Sequence, residues 1–170
     1  MTSANPTNIL YSDLILAVYP TSRGFSWILF EGPHKPVAWH NVHARPGRER
    51  HLLLRFRRIL DRYEPSVLVL QSFDEAGSRR GPRIRRFCEA MMREASARGM
   101  DTPVFSREAI RMAFAEYGAA SRSAIARVIA SRIDDISHRL PEWKFGYSED
   151  GRHSLFNAAA LAFTYFVSRG

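Results

Sequence analysis

The stretch that decides the fold runs from Ile9 to Val42: ILYSDLILAVYPTSRGFSWILFEGPHKPVAWHNV. Ile9 to Val18 reads as a buried strand, ended by Tyr19-Pro20 and a turn through Ser22-Arg23-Gly24. Phe25 to Phe30 is a second strand and Glu31-Gly32-Pro33 a turn, and Val37 to Val42 alternates apolar and polar residues as a half-buried third strand does. Connections this short predict an antiparallel meander. Downstream the period changes. Leu52, Phe56, Ile59, Leu60 and Tyr63 share one helical face, with Arg55, Arg58 and Arg62 grouped on another. Pro65 stops that helix, and Val67 to Leu70 is a short, wholly apolar strand. Arg79 to Arg98 is an amphipathic helix with Ile84, Cys88, Met91 and Ala95 opposite an arginine stripe, and Gly99 closes it. Pro103 to Phe105 is a small strand, Ser106 caps a helix through Tyr117, and Ser121 caps another running towards Leu140. Pro141 to Gly151 is a polar loop, and Leu155 to Val167 a closing helix apolar nearly all round. A meander followed by alternating helix and strand predicts an α/β protein: a mixed sheet, with parallel strands beside the meander and helices on both faces.

The chain has 170 residues, 45% of them hydrophobic, with no internal repeat or interdomain linker. One domain spanning residues 1–170 is expected, residues 1–8 forming a flexible N-terminus. Leu14–Val18 and Leu155–Val167 are the longest apolar runs, short of the ~20 residues a membrane span needs. The start MTSANPTNILYSD lacks the basic region of a secretory signal, and the single cysteine, Cys88, excludes an internal disulfide. A cytoplasmic protein with no membrane partner is expected. Basic residues outnumber acidic ones 25 to 17, for a net charge of +8, and all the basic residues except Lys35 and Lys144 are arginine. Guanidinium forks match phosphate and stack on bases, which favours a nucleic-acid partner. A G+C-rich genome would produce the same arginine bias.

Four segments, in order and in register, resemble the RuvC-type Holliday-junction resolvases, which have a ribonuclease H-like fold. ILAVYPTSRGFSWILF (Ile15 to Phe30) resembles the family's first two strands, and RRILDRYEPSVLVLQSF (Arg57 to Phe73) its helix, proline and fourth strand. PVFSREAIRMAFAEYGAASRSAIARVIA (Pro103 to Ala130) resembles its strand, helix, glycine turn and helix, and HSLFNAAALAFTYF (His153 to Phe166) its closing helix. The resemblance implies two-metal phosphodiester hydrolysis, with acidic side chains holding Mg²⁺. Carried onto this chain, the first-strand Asp falls on Tyr19 and the fourth-strand Glu on Gln71, six residues after Pro65. The first acid of the last helix falls on Ser154, with His153 beside it, and the final Asp falls on Asn157. Mg²⁺ binds proteins through carboxylates, and these neutral oxygens supply no compensating charge.

The resulting expectation is a catalytically degenerate protein that binds branched or structured DNA, needs no cofactor and does not cut. Asp74, Asp150 and His153 are displaced candidates; a Mg²⁺ site built from them would make the chain a divergent crossover-junction endonuclease. A third reading keeps the scaffold as a non-catalytic interaction subunit of a nuclease assembly. For nucleic-acid contact, Arg79, Arg80, Arg83, Arg86 and Arg93 form either a phosphate-binding face or a solvated one. Phe73 either stacks on an unpaired base or belongs to the core. Gly118 to Arg122 resembles the family's phosphate-meeting turn, with Arg122 and the amides at Ser121 and Ser123 as donors. The resemblance also implies a homodimer through the helix after the fourth strand; here Ile84, Cys88, Met91 and Met92 either serve that or pack on the chain's own sheet.

Overall fold

The first two strands are apolar at successive positions, and the pleat of the sheet sorts those side chains onto two faces. In a computed structural model, which describes residues 13–73, 81–141 and 151–170, the meander consists of β1 (Ile15–Thr21), β2 (Gly24–Gly32) and β3 (Lys35–His43). Next come α1 (Glu49–Tyr63), β4 (Val67–Gln71), α2 (Pro82–Ala97), β5 (Val104–Phe105) and α3 (Arg107–Ala113). A 3₁₀ turn (Ala115–Tyr117) leads to α4 (Arg122–Arg132), α5 (Asp134–Ser137) and α6 (Gly151–Arg169). The sheet order is β3-β2-β1-β4-β5, with β1, β2 and β3 antiparallel and β1, β4 and β5 parallel. This is the mixed sheet the sequence predicts.

Ile15, Ala17 and Tyr19 of β1 face one apolar layer, with Ile28 and Phe30 of β2 and with α4 and α6. Leu16 and Val18 face the other, built from Phe56 and Leu60 of α1 and Cys88, Met91 and Ala95 of α2. Each face is thus covered by helices, and Cys88 and Met91 are spent on the chain's own sheet rather than on a second copy. Alanines at 158, 159, 160 and 162 are buried where α6 crosses the sheet, and their small side chains permit a close approach. Among the described residues no helix is long and apolar enough to cross a membrane.

Element boundaries differ from the sequence reading in instructive ways. β1 does not end at Tyr19-Pro20; it pairs on with β2 through Tyr19↔Ser26, Pro20↔Phe25 and Thr21↔Gly24. Pro20 lies beyond the last pair with β4, Ala17↔Val69, so β1 is there an edge on that side, where a proline is tolerated. β2 runs through Glu31 to Gly32, and the turn falls on Pro33 and His34, the latter left-handed at φ 60°. Gly24 is required by close approach: a Cβ there would lie 1.8 Å from the Val42 carbonyl oxygen. The helix expected from Ser106 to Tyr117 stops at Ala113 and tightens into the 3₁₀ turn, which Gly118 ends at φ +65°. α2 starts at Pro82, the first-turn position where a missing N–H costs nothing. α6 begins at Gly151, four residues before the expected start. The Ile9–Ser12 portion of the first strand and most of the Pro141–Gly151 loop lie outside the described residues.

Candidate functional site

The parallel strands β1 and β4 pair as far as Ala17↔Val69 and part beyond it, opening a crevice at their carboxyl ends. Tyr19 near the end of β1, Gln71 at the end of β4 and Asn157 on α6 meet in one pocket of about 140 Å³. α3 contributes Arg107, Ile110 and Arg111 to its wall, and the start of α4 contributes Ser121, Arg122 and Ile125. Among the described lining residues three are arginines and none is a carboxylate.

Local sequence chemistry aims these groups. Ser106 Oγ accepts a hydrogen bond from the Ala109 N–H at 2.9 Å and so fixes the start of α3. That sets Arg107 and Arg111 one turn apart on the same side. Gly118, in its left-handed conformation, turns the chain so that α4 enters the pocket by its N-terminal end. Ser121 caps α4, its Oγ accepting from the Ala124 N–H at 3.2 Å. The unsatisfied amides and dipole of that end add partial positive charge to the three guanidinium groups. Arg111 Nη1 lies 3.9 Å from Glu108 Oε2, but that carboxylate is 73% exposed and screens little.

Asn157 shows what the pocket lacks. Its Nδ2 is buried and has no hydrogen-bond partner, which costs on the order of 1–3 kcal/mol until an acceptor arrives. A donor amide, three guanidinium groups and a helix N-terminus form a site for an anion. The two Mg²⁺ ions implied by the family resemblance do not fit it, since the described wall offers neutral oxygens and repulsive cations. Among the described residues no three His, Cys, Asp or Glu side chains group closely enough to hold a metal ion.

The remaining candidates separate. Ser154 is buried at 1% exposure and does not line the pocket; its Oγ is 2.8 Å from Ser26 Oγ, which in turn donates to Asn41 Oδ1 at 2.6 Å. This chain ties α6 to β2 and β3, so Ser154 serves the scaffold. His153, half-buried one turn before Asn157, is likewise not among the lining side chains. Phe73 is 8% exposed in the layer under α1 and α2, and only its carbonyl oxygen reaches out, to Arg85 Nη2 at 3.4 Å. It is a core residue and stacks on no base.

Arg83, Arg86 and Arg93 are exposed on α2, but α2 packs on the Leu16 and Val18 face, opposite Tyr19. They therefore do not line the pocket that holds Gln71; Arg83 and Arg86 line a separate groove. Arg79, Arg80, Asp74 and Asp150 lie outside the described residues. Ser121 and Arg122 line the pocket. Arg107 and Arg111 are the residues the sequence reading missed. Their signal was present: two arginines four apart, directly after a capping serine, in the segment that leads to the Gly118 turn.

Neither a protein-family model nor a curated protein sequence matches the chain. Solved structures do match. RuvC of Thermus thermophilus superposes with a TM-score of 0.67 at 16% identity, over 92% of this chain and 95% of that one. The T. thermophilus RuvC complex with a Holliday junction substrate gives 0.66 at 15% identity, over 92% and 94%. The fowlpox virus Holliday junction resolvase gives 0.61 at 16%, over 92% and 99%. The fold is therefore the RuvC-type, ribonuclease H-like α/β fold.

Proposed function

We propose that this RuvC-fold protein binds branched DNA by its phosphate backbone, through the pocket at the ends of β1 and β4, and does not cut it. The observation that carries the reading is the composition of that pocket: Arg107, Arg111 and Arg122 stand around Tyr19, Gln71 and Asn157, with no carboxylate among the described lining. Strand hydrolysis by paired cations needs negative ligands to gather them, whereas phosphate binding needs donors and positive charge. This pocket supplies the second set. The net charge of +8 extends the attraction beyond the contact itself. The T. thermophilus and fowlpox proteins of the same fold have been solved with Holliday junction DNA, which favours a branched ligand over a plain duplex.

Within the pocket the roles divide by chemistry. Arg107 and Arg111 project from α3 as two-pronged donors suited to the oxygens of one phosphate group. Arg122 and the α4 amides meet it from the other side, and Asn157 Nδ2 is a neutral donor at the base. Tyr19 and Gln71, 5% and 9% exposed, close the inner wall without adding negative charge.

The test is a gel-shift titration of a four-way junction and of a duplex of the same sequence, in EDTA and in Mg²⁺. Salt-sensitive binding that prefers the junction, survives EDTA and yields no cleaved strand is the expected result. Equal affinity for junction and duplex removes the branched-DNA reading. Cleavage in Mg²⁺ or Mn²⁺ that is lost in Asp74→Asn or Asp150→Asn replaces this proposal with the divergent nuclease.

A further inference from the structure

A second, larger groove of about 1130 Å³ lies where the β1–β2 turn, the β3–α1 connection and the start of α2 converge. Its described lining carries five arginines, Arg23, Arg45, Arg50, Arg83 and Arg86, all exposed, and no acidic residue. Leu52, Leu53, Ile84 and Phe87 form the floor. Resting on the nucleic-acid reading above, we infer that this groove holds a second stretch of phosphodiester backbone: a duplex arm leaving the branch point seated in the first pocket.

Two helices, α1 and α2, lie under the groove. Farther along them, Arg57 Nε donates to Glu94 Oε1 at 2.6 Å, and Arg98 Nη1 donates to Asp61 Oδ1 at 2.6 Å. Both bonds join the two helices across the same sequence offset, so the helices run parallel, and the first turn of α2 extends past the start of α1. Those two arginines are paired with carboxylates, whereas the described side chains that line the groove carry charge of one sign. A surface built only for solubility intersperses the two signs. A row of one sign is a match for a polyanion.

The same charge argues against a second copy of the chain as the occupant, because a symmetric contact across this groove would set arginines against arginines. Position argues for continuity with the first pocket. Tyr19 lines the pocket and Thr21 lines the groove, two residues apart on β1, about 7 Å at strand spacing. A backbone leaving the pocket reaches the groove across the hairpin turn that carries Arg23.

The test compares four-way junctions with arms of about 5 and about 15 base pairs, bound by the native chain and by the triple variant Arg23→Gln, Arg45→Gln, Arg50→Gln. The native chain should bind the long-armed junction about tenfold more tightly, from three added phosphate contacts at moderate salt. The triple variant should lose that gain and bind the short-armed junction as the native chain does. All three side chains are exposed, and a thermal melt together with the single variant Arg45→Gln guards against a folding defect. Unchanged long-arm binding by a folded triple variant overturns this inference and leaves the pocket reading standing. Equal loss for both arm lengths also overturns it, as does a dimer, seen by sedimentation, that only the variant loses. A native chain that binds no junction at all removes the parent reading and this one with it.

Discussion

Replacing Arg107, Arg111 and Arg122 with glutamine asks directly whether the pocket meets phosphate. All three are exposed side chains lining it, so the substitutions should leave folding stability within about 0.5 kcal/mol of the native value. Each arginine that neutralises a duplex phosphate releases counterions and adds about 0.9 to the slope of log affinity against log salt. Three contacts account for a slope of about 2.7, and a rise from about 50 to about 200 mM salt spans about 0.6 log units. The affinity ratio of native to triple variant should therefore shrink by about 1.6 decades, roughly 40-fold, over that range. In free energy this is about 2.2 kcal/mol. The assay is fluorescence anisotropy of a labelled four-way junction at several salt concentrations, in EDTA so that divalent ions do not compete for the backbone. Single variants should each remove about 0.9 of slope, and one that removes none identifies an arginine off the phosphate path. Parallel lines for native and triple variant refute the reasoning, because the guanidinium groups would then touch no phosphate.

Placing charge in the same pocket works in the opposite direction. Gln71→Glu with Asn157→Asp sets two carboxylates among the three arginines, and junction affinity should fall about tenfold or more at moderate salt; unchanged affinity would show that the pocket's charge is not what the ligand senses. Gly24→Ala must push the Val42 carbonyl off β3, since the added carbon falls 1.8 Å from its oxygen. A loss of about 3 kcal/mol or more in urea unfolding is expected, and a change within experimental error would contradict the hairpin geometry. His34 titrates below the ordinary imidazole value of 6.5, first through burial and second through the nearby Arg132 cation. The unfolded chain therefore takes up this proton before the folded one does. Its contribution is complete above pH 6.5 and declines as pH falls through the folded value, so His34→Gln should flatten that part of a melting-temperature profile. Identical profiles would reject it.

The sequence alone determined the layers. The continuous apolar run of β1, the alternation in β3, the wholly apolar Val67–Leu70 run and the 3.6-residue periods of the helices are local patterns, and burial follows from them whatever the partner. The matched positions Tyr19, Gln71 and Asn157 were legible for a related reason. The family resemblance places each by register along a matched segment, and in the structure the three side chains line one pocket. Pro20 misled the reading because a proline stops a strand only where its ladder is needed, and β4 has already parted from β1 at that point.

Only tertiary structure decided which arginines stand beside Gln71. Periodicity tells which residues share a helix face, but not which side of the sheet the helix covers. α2 carries the most conspicuous arginine stripe and lies under the Leu16 and Val18 face, so its charges belong to a different groove. Arg107 and Arg111, on a seven-residue helix with no stripe to announce it, reach the pocket because Ser106 and Gly118 set the path of the chain around it. Ser154 shows the same limit in reverse: its place in the pattern was readable, but its hydroxyl was already engaged by Ser26, 128 residues earlier in the chain. A contact across that distance exists only once the sheet has closed under α6, and no local pattern can encode it.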